Sequence, residues 1–444
     1  MSQTNNAVVN ELFKKVYGET KDLQPADYPL AKMIPWKDNQ MVGDEFIEHA
    51  VLTSECGWTL AGETAEAFDI NPAIAGTTKQ IKVKPSQSVL PSILPWGMIS
   101  RSTGSEKAFL QATKHLVKNN LKSHGKLLEI MRIHGQATKL LGYVAYNTST
   151  YRGVSMTAGA GTLNGIVFAT GGTSAGSKAI LFKPGDFAAG IWVGMEGCIV
   201  QEVDANNLVV AEGKLTGVDA EFGFIYVDFT PVTASSATSH RICFKGMAES
   251  KEMLGILGIL GKTTGTLFGV NVANYSLWKP IQVACGAAKF SFDLLSNGVA
   301  MAVNRGGLGD GALGGGDLDV IVNPRTWARL IQTEAGRKSN DSSYSPAQAE
   351  NGMRSIQFHT EAGICNIKSH RMVPEGSAIG LHLEDWSRSG SAQVSFKVPG
   401  MGEDLVKELE RQAGYAYRSF ADEYTFCNAP ARSILWTGIN DEAT

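Results

Sequence analysis

The sequence predicts an α+β fold, with helices and strands sorted into separate layers. Three observations predict it. A polar stretch at 44–97 shows the two-residue alternation of a long hairpin, a helical stripe follows it for about 31 residues, and from residue 254 onward helical and strand-like runs interleave.

The chain starts with an amphipathic patch (Val8, Leu12, Phe13, Val16) and then Pro25, Pro29 and Pro35. This pattern reads as a short helix leading into an extended arm. The hairpin comes next. In its second arm, 77–84, Ile81 and Val83 alternate with Gln80, Lys82 and Lys84; in the first, 44–51, Phe46 and Ile47 stand among Glu45, Glu48 and His49. Such alternation leaves one thin apolar edge, and an isolated two-stranded hairpin is marginal in water. The hairpin is therefore either draped over its own domain or clamped by a neighbouring subunit. Its tip falls within 62–76. Glu45, Glu48, Lys79, Lys82 and Lys84 are the candidate intersubunit contacts: cations opposite acids on a neighbour set register, each exposed pair adding at most about 1 kcal/mol. The alternative is that the lysines only keep a β-edge soluble.

Thr103 and Glu106 have the spacing of a capping box, which ties down the first free amides of a helix. Phe109, Ala112, Leu116 and Val117 recur at helical spacing, and Leu121, Leu128 and Met131 carry the stripe past a weak point at Gly125. At 1.5 Å per residue this helix is roughly 46 Å long, a spine for the molecule. Beyond a Gly, Ser and Thr-rich stretch at 153–176, short β-like runs at 191–193, 198–203, 208–210 and 222–229 are separated by turn residues. They predict a small inserted barrel or sandwich over 182–247. A helix at 288–303, a glycine tract at 306–316, a strand at 318–322 and a helix at 325–335 follow. The polar stretch 338–351 is expected to be a mobile loop. Strands at 379–383 and 393–398 and an aromatic run through Tyr415, Tyr417, Phe420, Tyr424 and Phe426 close the chain.

Composition excludes several functions. Lys and Arg number 40 against 43 Asp and Glu, a formal net charge of −3, so the chain lacks the positive field that drives non-specific nucleic-acid binding. No window approaches 18 uninterrupted apolar residues, and residues 1–17 show neither a secretory signal nor an anchor, so no membrane partner is expected. Six scattered cysteines without a CxxC pair fit reduced thiols in a cytoplasm. Glycine, 49 of 444 residues, exceeds its usual share of about 7% and predicts many tight turns.

The catalytic motifs fail on context. Residues 309–314, GDGALG, match a dinucleotide fingerprint in letters, but a helix precedes and a strand follows, the reverse of what places a phosphate on a helix N-terminus. Gly309, Gly311 and Gly314 are instead candidates for a mobile loop. Gly261-Lys262-Thr263 lacks the phosphate-loop glycine at position 256, which is Ile256. Gly172-Thr173-Ser174-Ala175-Gly176 has the letters of a nucleophile elbow without the helix that must follow it. His115, His124 and His134 are spaced too far apart on one helix to share a metal, and exposed or partly buried helix positions are expected for them. The acidic run at Glu403, Asp404, Glu408 and Glu410 reads as a solvated helix face. No catalytic residue, cofactor or metal is therefore expected.

Two stretches carry a family resemblance: LDVIVNPRTWARL at 318–330 and FADEYTFCNAPARSILWTGI at 420–439. Both resemble tailed-phage major capsid proteins of the Hong Kong 97 fold, and the order of parts agrees along nearly the whole chain. The resemblance implies an N-terminal arm (1–43), an extended hairpin or E-loop (44–97), the spine helix of a peripheral domain (98–137), an axial domain (138–181 and 248–370) interrupted by the β insertion (182–247), and peripheral strands with the C-terminus (371–444). It implies a subunit that self-assembles as pentamers and hexamers into an icosahedral head enclosing double-stranded DNA, without sequence-specific binding. Its partners would be a portal protein and a decoration or cement protein. With only about 43 residues before the hairpin, the scaffold is expected to be a separate scaffolding protein. The location implied is the virion capsid, assembled in the host cytoplasm. Rival readings are a bacterial nanocompartment shell, a serine hydrolase using Ser174, and a tail or adhesion protein.

Overall fold

Pro29 opens the first helix among the described residues, Pro29–Met33, at the position where a missing amide hydrogen costs nothing. The computed structural model describes residues 28–38, 41–42, 45–60, 63, 67–96, 106–145, 150–151, 154–155, 161–163, 166–168, 178–231, 239–249, 251–309, 316–338, 356–396, 407–408 and 414–441. The patch at 8–16, Thr103, Ser174, Gly311, Gly314, the polar stretch 339–351, Glu403, Asp404 and Glu410 lie outside these residues.

The predicted hairpin forms from β2 (Glu45–Val51) and β3 (Thr78–Val83), with β1 (Met41–Val42) added on the outer side of β2. Phe46 faces Val83 and Val51 faces Thr78. β4 (Ser86–Pro95) leaves the hairpin for another sheet, described below. The spine helix, Glu106–His134, runs 29 residues without a break at Gly125. A side chain at 125 would come within 3.0 Å of the Tyr28 ring, so glycine there is the gap through which the arm crosses the helix.

Two small hairpins follow, β5 (Thr150–Tyr151) with β6 (Val154–Ser155) and β7 (Gly161–Leu163) with β8 (Ile166–Phe168). A β unit contains β9 (Ala179–Leu181), β10 (Ile199–Val203), β11 (Val209–Asp219), β12 (Phe224–Val227) and β13 (Arg241–Phe244), in sheet order β13-β10-β11-β12-β9. The two edges are joined by residues 141–145. The amides of Leu141 and Val144 donate to Ile242 and His240 on one side, and the amide of Ala145 and carbonyl of Tyr143 bond to Leu181 and Lys183 on the other. The unit is thus a hydrogen-bonded ring, and 182–247 is too short for it at the start: the ring needs β9 and the stretch after the spine helix. The run 191–193, expected as a strand, ends a helical turn, Ala189–Trp192, whose Trp192 fills the ring against Phe182 and Phe244.

A short helix, Ile256–Leu260, and a hairpin of β14 (Thr266–Leu267) and β15 (Val270–Asn271) lead to a six-stranded sheet. Its members are β16 (Ile281–Ala284), β17 (Leu318–Val322), β18 (Ile356–His359), β19 (Ile364–Ser369), β20 (Ser377–Leu381) and β24 (Ile434–Thr437), in the order β16-β24-β20-β17-β19-β18. β17 is parallel to β19 and antiparallel to β20, and every one of its residues is buried, as a central strand covered on both faces requires. One face carries the helices Phe292–Gly306 and Pro324–Lys338, with a core that includes Leu295, Val299, Leu330 and Trp436. The other face joins the main core with the spine, the ring and the hairpin base. The Asn-Pro of the 318–330 motif is a helix start: Asn323 Oδ1 accepts from the amide of Arg325 at 3.0 Å, and Pro324 takes the first helical position.

The last sheet is built on β23 (Gly414–Cys427), with β21 (Trp386–Ser395) and β22 (Lys407–Glu408) along one side and β4 on the other. β22 replaces the solvated helix face expected there. Pro91 and Pro95 are accommodated because β4 is an edge strand, whose outward amides need no partner.

Candidate assembly surface

The hairpin divides into a base held by its own chain and a tip that is not. Along β2 the side chains of Phe46, Glu48 and Ala50 point inward, and along β3 Ile81 and Val83 do. They join the main core, where the Phe46 ring lies 5.3 Å from that of Tyr424. The helix is equally at home: Leu128, Ile130 and Ile133 are fully buried. The hairpin base and the C-terminal part of the helix therefore pack on their own chain.

Past Leu52 the arms stay together through polar contacts. Cys56 and Ile74 exchange backbone hydrogen bonds, and Asn71 binds Thr59 Oγ1 and the Trp58 carbonyl. Gly57, at φ +112°, sits where any Cβ would lie 2.6 Å from the Pro72 carbonyl, so the crossing requires glycine. This outer part carries the apolar residues with nothing beneath them: Trp58 is 82% exposed, Leu60 94% and Ile70 80%, with Phe68 and Ile74 more than half exposed.

The five predicted contact residues separate. Lys82 and Lys84 approach Glu45 of the opposite arm, at 3.3 and 3.8 Å, as exposed pairs within the hairpin. Lys79 is exposed on the same strand, opposite Ala50. Glu48 is turned inward, where Tyr424 donates to it at 3.3 Å. In the glycine tract, Gly309 takes φ +76° with its α-carbon packed on Ala362, Gly306 ends a helix against the Ala431 carbonyl, and Gly307 caps that helix at φ 63°. The described edges of the tract are therefore packed backbone.

A buried polar clamp joins the arm to the spine. Glu129 Oε1 accepts from the amide of Leu30 at 2.8 Å and contacts His370 at 3.3 Å, while its other oxygen accepts from Arg132 at 2.9 Å. Burial pushes the Glu129 carboxyl up, but the His370 hydrogen bond, the Arg132 and His370 charges and the Leu30 amide outweigh it and hold it below the usual carboxylate range. Arg132 also pairs with Glu423 of β23 at 2.7 Å, and Glu423 lies 3.5 Å from Arg388 of β21. Arg388 donates to the carbonyls of Ile34 and Ala31, and its own backbone bonds to Pro35 and Lys37. The residues are scattered through the sequence, so no motif announces them.

His124 and His134 are fully buried, where exposed or partly buried positions are expected, because the helix faces that carry them are covered by strand β23 and the loop at 372. His124 lies between the hydroxyls of Ser88 and Ser419, and burial lowers its pKa to about 4. Among the described residues no group of three or more His, Cys, Asp or Glu is placed to hold a metal, and no helix is long and apolar enough to cross a membrane.

No protein-family model matches the chain, and no curated protein matches it in sequence. In structure it is similar to a chain of the Cyanophage A-1(L) capsid asymmetric unit, with a TM-score of 0.52 at 8% identity over 96% of each chain. It is also similar to the capsid of the native GTA particle (TM-score 0.44, 10% identity, 98% of this chain and 100% of that one). A third is the SrpI encapsulin from Synechococcus elongatus (TM-score 0.39, 8% identity, 97% and 95%). The cyanophage likeness carries the fold assignment. The chain has the α+β Hong Kong 97-type capsid fold that its motifs at 318–330 and 420–439 resemble.

Proposed function

We propose that this capsid-type fold serves as a shell subunit, copies of which associate as pentamers and hexamers into an icosahedral phage head around double-stranded DNA. The observation that carries the reading is the end-to-end structural likeness to the cyanophage capsid chain, with neither chain left substantially unmatched. The hairpin tip supplies the contact. Fully burying a Leu or Ile side chain contributes about 1.5–3 kcal/mol, so Leu60, Ile70 and the larger Trp58 suffice for a reversible contact that repeats around a ring. Lys79, and the Lys82–Glu45–Lys84 group, steer the approach and set register, while Glu48 works within its own subunit.

The balanced charge supports enclosure of DNA without sequence-specific grip. A separate scaffolding protein, a portal protein and a decoration or cement protein complete the set of partners in this reading, with the virion as location and the host cytoplasm as the site of assembly. No enzymatic step is part of it.

Negative-stain electron microscopy of the expressed chain tests the reading. Closed particles are expected from the full chain and only soluble subunits from a variant lacking 62–76. Normal heads from that deletion would sink the tip's role, and particles loaded with a protein cargo in place of nucleic acid would favour a nanocompartment shell.

A further inference from the structure

The formal charge of −3 is not spread evenly along the chain. Between Lys107 and Leu128, most of the spine helix, stand Lys107, Lys114, Lys118, Lys122 and Lys126 and no aspartate or glutamate. The next acid, Glu129, is buried and paired with Arg132. Helical geometry sorts the lysines. At 3.6 residues per turn, positions 107, 114 and 118 fall within an arc of about 40°, on the face that Gly125 and Glu129 present to the arm. Asn120 and His124, about a third of a turn away, face β4 and β23, where they bond Ser92, Ser88 and Ser419. The sheet side and the lysine side of the helix are therefore distinct, and Lys118 is exposed. Lys126 is turned inward, donating to the Val193 carbonyl at 2.5 Å, and Lys122 is half-buried and engaged within the subunit, so neither counts toward the row.

The arm adds a cation. Leu30 and Ile34 are turned into the core at 1% exposure, and Lys32, between them, is exposed. Because the Leu30 amide bonds Glu129, Lys32 continues the row beyond the crossing. From 107 to 129 the helix rises roughly 33 Å, about the axial length of ten base pairs of duplex. The charge of this face selects its partner. Duplex DNA carries about one negative charge per 1.7 Å of axis, dense enough for a straight row to meet a phosphate at each lysine. A helix lying on a membrane needs an apolar stripe turned to the lipid, whereas Leu128 and Met131 of this helix's stripe are buried against the body.

We propose that the lysine face of the spine helix, Lys107, Lys114 and Lys118 with Lys32 of the arm, holds the phosphate backbone of double-stranded DNA without reading its sequence. The inference rests on the shell reading, which supplies the DNA, and it makes this face the one turned to the packaged duplex. A chain of balanced overall charge then holds DNA through one helix, and the contact is released by salt.

Fluorescence anisotropy of the expressed chain with a labelled duplex of about 30 base pairs, between about 50 and 200 mM salt, tests the proposal. Three to four phosphate contacts give an expected slope of about −3 in log K against log salt, the same for two unrelated sequences. Lys118→Gln with Lys32→Gln should weaken binding at least about tenfold at the lowest salt and reduce the slope by about 2. Lys262→Gln with Lys289→Gln, at exposed positions away from the spine helix and the arm, should change neither. Equal losses in the two double variants, or no loss in the first, overturn the proposal. Lys118→Arg with Lys32→Arg keeps both cations and should bind as wild type does; a loss of about tenfold there overturns the proposal as well. So does binding to vesicles of anionic phospholipid without binding to the duplex. Closed particles built from subunits that bind no duplex overturn this inference alone, whereas duplex binding without any closed particle removes the shell reading while the lysine face still binds.

Discussion

The guanidinium of Arg132, on the spine helix, lies 2.7 Å from the carboxylate of Glu423, on β23, and both side chains are buried. The pair fixes how the helix sits on the sheet, and through Glu129 and Arg388 it also fixes the arm.

Removing one partner strands the others. Arg132→Met leaves Glu129 and Glu423 without a shared cation in an apolar setting, and a loss of about 3–5 kcal/mol is expected in denaturant unfolding. Limited proteolysis should then cut near residues 28–37 faster than in wild type, because the arm is anchored to the same cluster.

Gly125→Ala sets two effects against each other. Alanine favours the helix by about 1 kcal/mol, but its Cβ would meet the Tyr28 ring at 3.0–3.1 Å. The substitution is expected to be neutral or destabilising in the wild-type background and stabilising by about 1 kcal/mol in a Tyr28→Ala background. Thermal unfolding of the four proteins of this cycle measures the difference.

The hairpin tip should matter to assembly and not to the subunit. Trp58→Ser with Ile70→Ser is expected to leave subunit stability within about 0.5 kcal/mol of wild type, since both side chains are already in water. The yield of closed particles seen by electron microscopy should fall sharply.

His124 gives an acid sensitivity with a definite sign. Its pKa is about 4 in the folded chain against 6.5 for the free side chain. The unfolded chain therefore takes up the proton first as pH falls. The stability is intact above pH 6.5 and declines between 6.5 and 4, by about 2–3 kcal/mol for this group. His124→Gln should show a shallower fall over that window in pH-dependent unfolding.

Much of the fold was legible locally. The run 318–322, apolar but for Asp319, ends in Asn-Pro and is β17 to the residue, and the hairpin arms follow from their alternation. The same alternation puts Glu48 on the face of Phe46 and Ala50, a signal that pairing Phe46 with Ile47 obscures. What stayed hidden depends on distant pairing. The stretch 86–95, which the sequence reading includes in the hairpin, is a strand on β23, at a sheet edge that tolerates its prolines. The clamp draws Glu129, His370, Arg388 and Glu423 from four elements, and nothing in their spacing signals that they meet. His124 reads as exposed or partly buried until Ser88 and Ser419 enclose it.

The ring closed by residues 141–145, and the sheet that joins 86–95 to 414–423, place a condition on the order of folding. During synthesis, the stretch after the spine helix waits for β13 at 241–244, and the face of the helix that carries Arg132 waits longer still, until β23 emerges. Contacts this far apart along the chain form slowly, because loop closure precedes the contacts that stabilise it. A nascent chain shorter than about 420 residues, by that pairing, holds the hairpin tip on a body that is not yet built. The chain completes its packed body only when nearly whole, so folding of the spine-helix face is a late event of synthesis.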